Sequence, residues 1–276
     1  MKTRILSGFA MAPFLFFVYV GGDMFVAICA ALSLCAVREF YKVFGQSARP
    51  VYWVAYVSVA ALYIWAPIGA RLQVSPQMFI PLWVFLVTVL CMSCLLDGKR
   101  ETADVFITLA GIFYTVFLLF HAVMLAYPVP SPDTWIRFET PVWLAVFAAF
   151  GTDIFAYFTG SLLGKHKLCP MLSPKKTIEG AVGGVVGSAL ICGAFGYFAM
   201  RGVFVHCIVI GVLGGVVSQI GDLVASAIKR RVGVKDFGNL IPGHGGILDR
   251  IDSVLFTTPL VFWYVYLANA LGVWLA

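Results

Sequence analysis

Apolar residues run along this chain in blocks of about twenty, broken by short joints that carry most of the charge. A helix rising about 1.5 Å per residue needs about 20 apolar residues to cross the hydrocarbon core, so the blocks predict membrane-spanning helices. Nine are predicted, at 6–21, 24–38, 51–70, 78–96, 103–126, 142–163, 179–200, 203–228 and 253–274. The first two are short and separated only by Gly21-Gly22-Asp23, which leaves a tight hairpin, a re-entrant pair or one bent element open. Lys2 and Arg4 before the first apolar run also fit a signal peptide, but another apolar run follows at once without a convincing A-x-A cleavage site between them. Ten-residue segments of alternating apolar and polar residues, the mark of an outer-membrane barrel, are absent.

The cations give the predicted helices a direction. With nine spans and the N-terminus inside, sixteen of the nineteen Lys and Arg residues fall on the cytoplasmic side, and only Arg71, Arg137 and Arg201 fall opposite. That bias follows the positive-inside rule and predicts a cytoplasmic N-terminus in an inner-membrane protein. Composition agrees: 61% of residues are hydrophobic and 12% charged, with a mean hydropathy of +0.96, against about 25% charged in a soluble domain. The expected fold is an all-α integral membrane protein of about nine transmembrane helices, organised as a single polytopic domain over residues 1–276. Residues 1–141 read as scaffold spans and residues 142–276, with their intramembrane acids and loops at 164–178 and 229–252, as the catalytic half.

A net charge of +6 raises the question of nucleic acid, but the cations alternate with spans and form no DNA- or RNA-binding module. Anionic headgroups of membrane lipids and phosphorylated substrates are the better partners. The seven cysteines lie mostly inside predicted spans and read as small packing residues; Cys91 and Cys94 have C-x-x-C spacing without a second pair or a nearby histidine.

Chemistry concentrates in the second half. On the eighth predicted span Gln219, Asp222, Ser226, Lys229 and Arg230 fall within an arc of about 100°. Such a stripe is costly against lipid, so Asp222 should face a hydrated pocket or pair with a neighbouring cation. Asp153, Tyr157, Gly160 and Gly164 share one face of the sixth span more weakly; Asp153 lines the same pocket or is a packing residue. The segment from Ser173 through Lys175, Lys176 and Thr177 to Glu179 precedes the seventh helix, whose N-terminus favours anions. Its alternatives are ordinary topology charge and a helix cap from Thr177 or Ser173. Gly180, Gly183, Gly184 and Gly187 then read as close packing. In 229–252, Gly243, Gly245 and Gly246 bracket His244, and Asp249 and Asp252 are hard oxygen donors of the kind Mg²⁺ accepts. Asp249 paired with Asp222 would hold a metal on a triphosphate. His244 reads equally as an acid/base, a phosphate donor or a turn residue. Gly160 to Lys165 echoes a P-loop, but His166 stands where Ser or Thr is required.

At these residues the chain resembles the phosphatidate cytidylyltransferase (CDP-diacylglycerol synthase) family. The matching run is Ser226-x-Ile228-Lys229-Arg230, four residues, Lys235-Asp236-x-Gly238, then Ile241-Pro242-x-His244-Gly245-Gly246-Ile247-x-Asp249-Arg250-Ile251-Asp252. Ser173-Pro174-Lys175-Lys176-Thr177-x-Glu179-Gly180 and Asp153-x-x-Ala156-Tyr157 also look like family elements. The resemblance implies a polytopic enzyme that joins CTP and phosphatidic acid into CDP-diacylglycerol with release of pyrophosphate. It implies Mg²⁺ on the acids at Asp222 and Asp249, assistance from K⁺, and a homodimer. Catalytic roles would fall to Asp222, Asp249, Lys229, Arg230, His244 and Asp252. Substrate contacts would fall to Ser173, Lys175, Lys176, Thr177, Asp153, Tyr157, Ser226, Lys235, Asp236, Gly245, Gly246 and Arg250. Two other readings stand beside it: a transporter using Asp153 and Asp222 as coupling acids, and an enzyme of related type acting on another lipid, as in CDP-archaeol synthases or polyprenol kinases.

Overall fold

The computed structural model describes residues 16–74, 76–126, 139–240 and 245–274. They fall into two compact units, one of residues up to Glu139 together with Val232–Arg250, the other of Thr140–Arg231 together with the chain from Ile251.

The described residues of the first unit include α1 (Gly22–Phe44), α2 (Tyr52–Arg71), α3 (Pro76–Ser93) and α4 (Thr102–Ala126), the last with a π-helical stretch at Ile112–Phe117. Residues 16–20 are helical too. Between them and α1, Gly21 and Gly22 take φ values of 66° and 58°, a left-handed conformation that breaks the helix and that glycine adopts without a Cβ penalty. Helix α1 runs six residues beyond the predicted end at 38, because Arg38, Glu39 and Lys42 mark a boundary in hydropathy and not a break in backbone hydrogen bonding. Its Tyr41 hydroxyl donates to the Thr108 carbonyl at 2.7 Å. The Asp104 carboxylate accepts from the amides of Arg49 at 2.6 Å and Glu101 at 3.0 Å, pinning the α1–α2 joint to the first turn of α4.

The second unit contains α5 (Glu139–Leu163), a two-stranded antiparallel hairpin of β1 (Lys167–Cys169) and β2 (Ser173–Thr177), α6 (Ile178–Ala199), a 3₁₀ turn at Arg201–Val203, α7 (Phe204–Arg231) and most of α8 (Leu248–Ala270). Glycines set its spacing. A Cβ on Gly180 would lie 2.9 Å from the Ala156 carbonyl oxygen, and one on Gly184 3.0 Å from that of Thr152, so α5 and α6 pack backbone to backbone. Gly211 and Gly215 bring α7 equally close to α6 at Ala189 and Val185, and Gly221 admits the α8 backbone at Asp252. These approaches are the small-residue packing expected where lipid supplies no hydrophobic drive between helices.

Among the described residues seven helices are long and apolar enough to cross a membrane, and the chain is an integral membrane protein of mostly helical structure. The expected nine differ in two places. The reading at 78–96 lands on α3, whose apolar part Met78–Ser93 is shorter than a span because the chain turns from Cys94, with amides of Cys94 and Leu95 bonded three residues back. The reading at 6–21 lies mostly outside the described residues. Two segments read as loops carry structure. Within 164–178 the chain folds into the β1–β2 hairpin, since Pro170 follows Cys169 in a turn closed by the Leu172 amide on the Cys169 carbonyl at 3.2 Å. The final helix starts at Leu248 and not at 253, so Asp249 and Asp252 are helical residues of its first turns.

Candidate active site

In the second unit, β2 leads directly into α6. Thr177 is the N-cap, its hydroxyl accepting from the Gly180 amide at 3.1 Å. Glu179 closes the base of the hairpin, accepting from the Lys165 amide at 3.1 Å and pairing with His166 Nδ1 at 2.6 Å. The strand so anchored presents Lys176 to α7, where its ammonium forms an ion pair with the Asp222 carboxylate. Lys175, one residue earlier, is exposed.

Around this pair lies a cavity of about 460 Å³ lined by Asp153, Tyr157, Lys175, Lys176, Thr177 and Asp222, with Gly160, Gly180 and Gln219 completing its wall. The Gln219 amide donates to the carbonyls of Ala181 at 3.1 Å and Gly215 at 3.0 Å, so it braces α7 on α6 at the cavity edge. Ser226 Oγ stands 3.4 Å from Asp222 Oδ1, a long contact one helical turn away. Asp252, 8% exposed on α8, lies within electrostatic reach of Asp222, Asp153 and Lys229. Three acids and three lysines from four elements thus share one region. Ser173 sits opposite Cys169 in the hairpin, and Arg230 is exposed near the end of α7; neither lines the cavity.

The first unit holds the rest of the motif. Asp249 Oδ2 accepts from the amides of Phe237 at 2.8 Å and Gly246 at 2.9 Å. Gly245, with φ at 83°, turns the chain where a Cβ would come within 2.8 Å of Asp249 Oδ2. Lys235 and Asp236 are exposed, and the Arg250 side chain is half-buried. His244 lies outside the described residues. One participant was missed by sequence reading: Glu39 on α1 accepts from the amides of Ile247 at 3.0 Å and Leu248 at 2.8 Å. The available signal is an acid one residue past the predicted span end at 38.

Carboxylates are the donors Mg²⁺ prefers, and the ion is commonly held by one or two of them with water and substrate phosphates completing its shell. Among the described residues no group of three or more His, Cys, Asp or Glu side chains is arranged to hold a metal. Asp153 and Asp222, which line the cavity, are donors of the kind such an ion takes.

Taken by fold and site, the molecule is a polytopic membrane protein with a pocket lined by two lysines, two aspartates and the N-terminus of a membrane helix. Sequence comparison narrows the class. The profile of the Cytidylyltransferase family matches residues 2–268. Phosphatidate cytidylyltransferase of Bacillus subtilis (strain 168) is 33% identical over 97% of this chain and 98% of its own length. That of Synechocystis sp. is 35% identical over 96% of each chain, and the uncharacterized protein YnbB of Escherichia coli is 38% identical over 88% of this chain and 79% of its own. The chain belongs to the cytidylyltransferase family.

Proposed function

We propose that this enzyme transfers the cytidylyl group of CTP to phosphatidic acid, giving CDP-diacylglycerol and pyrophosphate for phospholipid biosynthesis. The observation that carries the reading is the cavity at Lys176 and Asp222, where cations, acids and a helix N-terminus meet at the ends of membrane helices. Phosphatidate brings its own nucleophile. A phosphate oxygen of the lipid attacks the α-phosphorus of CTP, the bond from that phosphorus to the bridging oxygen breaks, and pyrophosphate leaves with the electron pair. Positioning and charge neutralisation suffice for such a transfer, so no Ser, Cys or His nucleophile is needed.

In this reading Lys175 and Lys176 bind phosphate oxygens, and Thr177 keeps the α6 N-terminus in place beside them. Lys229 and Arg230 add positive charge near the end of α7. Asp222 and Asp249 are the proposed Mg²⁺ ligands, each supported within its own unit by the contacts above. When bound, the metal supplies positive charge against the phosphate oxygens. Lys176 holds Asp222 through their ion pair and would give it up to take a substrate phosphate. We further propose that CTP arrives from the cytoplasm, that K⁺ assists and that the enzyme works as a homodimer. Purified protein given Mg²⁺, phosphatidate and base-labelled CTP should form a labelled liponucleotide that requires both substrates. CTP-independent transport of an anion, with no lipid product, would overturn the reading.

A further inference from the structure

The motif segment is held by a carboxylate that lies more than two hundred residues away in sequence. Glu39 on α1 places one carboxylate oxygen on the Ile247 amide at 3.0 Å and the other on the Leu248 amide at 2.8 Å. These are N–H groups at the head of α8, which lack carbonyl partners within the helix and carry the positive end of its dipole. Two glycines make room for the acid. A Cβ on Gly238 would lie 2.5 Å from Glu39 Oε1, and one on Gly246 would lie 2.5 Å from its Cδ. Asp249 fastens the same turn from inside through the amides of Phe237 and Gly246. Four amides of one short segment are thus divided between two carboxylates, two to each. Without Glu39, the amides of Ile247 and Leu248 would compete for the nearest anion, and Asp249 is already bonded to the preceding amide.

We propose that Glu39 is a positioning residue: by occupying the amides of Ile247 and Leu248 it fixes the first turn of α8 and thereby the direction in which Asp249 presents its carboxylate. The proposal rests on the reading of Asp249 as a metal ligand for its consequence in catalysis, but its structural part stands apart from that reading. Glu39→Gln keeps the size of the side chain and one acceptor oxygen while turning an NH₂ group toward an N–H. Glu39→Ala removes both acceptors.

The test uses the full chain in lipid nanodiscs. Hydrogen–deuterium exchange without metal should show the amides of Phe237 and Gly246–Leu248 exchanging about tenfold faster in Glu39→Gln, the loss expected for a hydrogen bond to a charged group. Exchange elsewhere on α1 should be unchanged. The same variant should need about tenfold more Mg²⁺ for half-maximal turnover while its KM for phosphatidate stays within about twofold. Glu39→Ala should be affected more than Glu39→Gln in both measurements. Unchanged exchange at those amides in Glu39→Gln would overturn the proposal, as would a loss of kcat with neither change. Asp249→Asn distinguishes the two layers: if it keeps normal activity, the metal reading of Asp249 fails, while the exchange result still decides the role of Glu39.

Discussion

Asp222 and Lys176 illustrate what a single charged group does in an otherwise apolar molecule. Each side chain is only partly exposed, at 28% and 25%, and each neutralises the other. Removing one leaves its partner half-buried and unneutralised by that contact, which is costlier than never having placed the pair. Asp222→Asn and Asp249→Asn should each lower CTP-dependent turnover by about 100-fold or more in protein that remains folded, consistent with loss of a charged ligand. Ser226→Ala should change turnover by less than about threefold, because its hydroxyl stands 3.4 Å from Asp222, at the limit of a hydrogen bond. Lys176→Ala should raise KM for CTP or phosphatidate by about tenfold, with Lys175→Ala milder, since the exposed Lys175 makes a weaker, screened contact. Steady-state kinetics on purified variants check all five, and normal KM values in both lysine variants would leave these cations as topology charges.

Among the elements, the unit of α5, α6 and α7 depends on what is missing from its helices. Gly180 lets the α6 backbone approach Ala156 and Gly160 on α5, and these residues also line the cavity. Gly180→Leu should therefore destabilise the protein by about 1–3 kcal/mol, as overpacking does, and lower activity together with the apparent Tm. Val182→Leu, on the exposed side of the same helix, should do neither. Thr177→Ala should cost about 1 kcal/mol through the lost N-cap. Thermal unfolding followed by tryptophan fluorescence separates these cases. Most of the helices were legible in the sequence because twenty-residue apolar blocks have few alternatives in a membrane. The β1–β2 hairpin was not, since its pairing is set by a turn at Pro170 and by Glu179 reaching back to Lys165 and His166, and neither produces a periodic pattern. The early start of α8 was missed for a related reason: charge suggested loop, while the amide partners at its head come from Glu39 and Asp249.

At the scale of the whole molecule, hydropathy made the membrane class readable, and the cation bias predicts an orientation. The Asp222 stripe was equally readable, since α7 is one continuous helix from Phe204 to Arg231. The partner of Asp222 was not, because Lys176 sits on a separate strand and only folding brings them together. Orientation yields its own prediction. In a cysteine-free background, Met171→Cys, at a 93% exposed position in the hairpin turn, should react with a membrane-impermeant maleimide only from the cytoplasmic side. Arg201→Cys, at the far end of α6, should react only from the other side; the reverse pattern would invert the topology. The central claim is the bond that breaks in CTP, and the fate of two labels tests it most directly. With CTP carrying ³²P at the α position, label should appear in the lipid product, and with ³²P at the γ position it should appear only in pyrophosphate. Label from the γ position in the lipid, with CDP released, would contradict cytidylyl transfer and make the protein a lipid kinase.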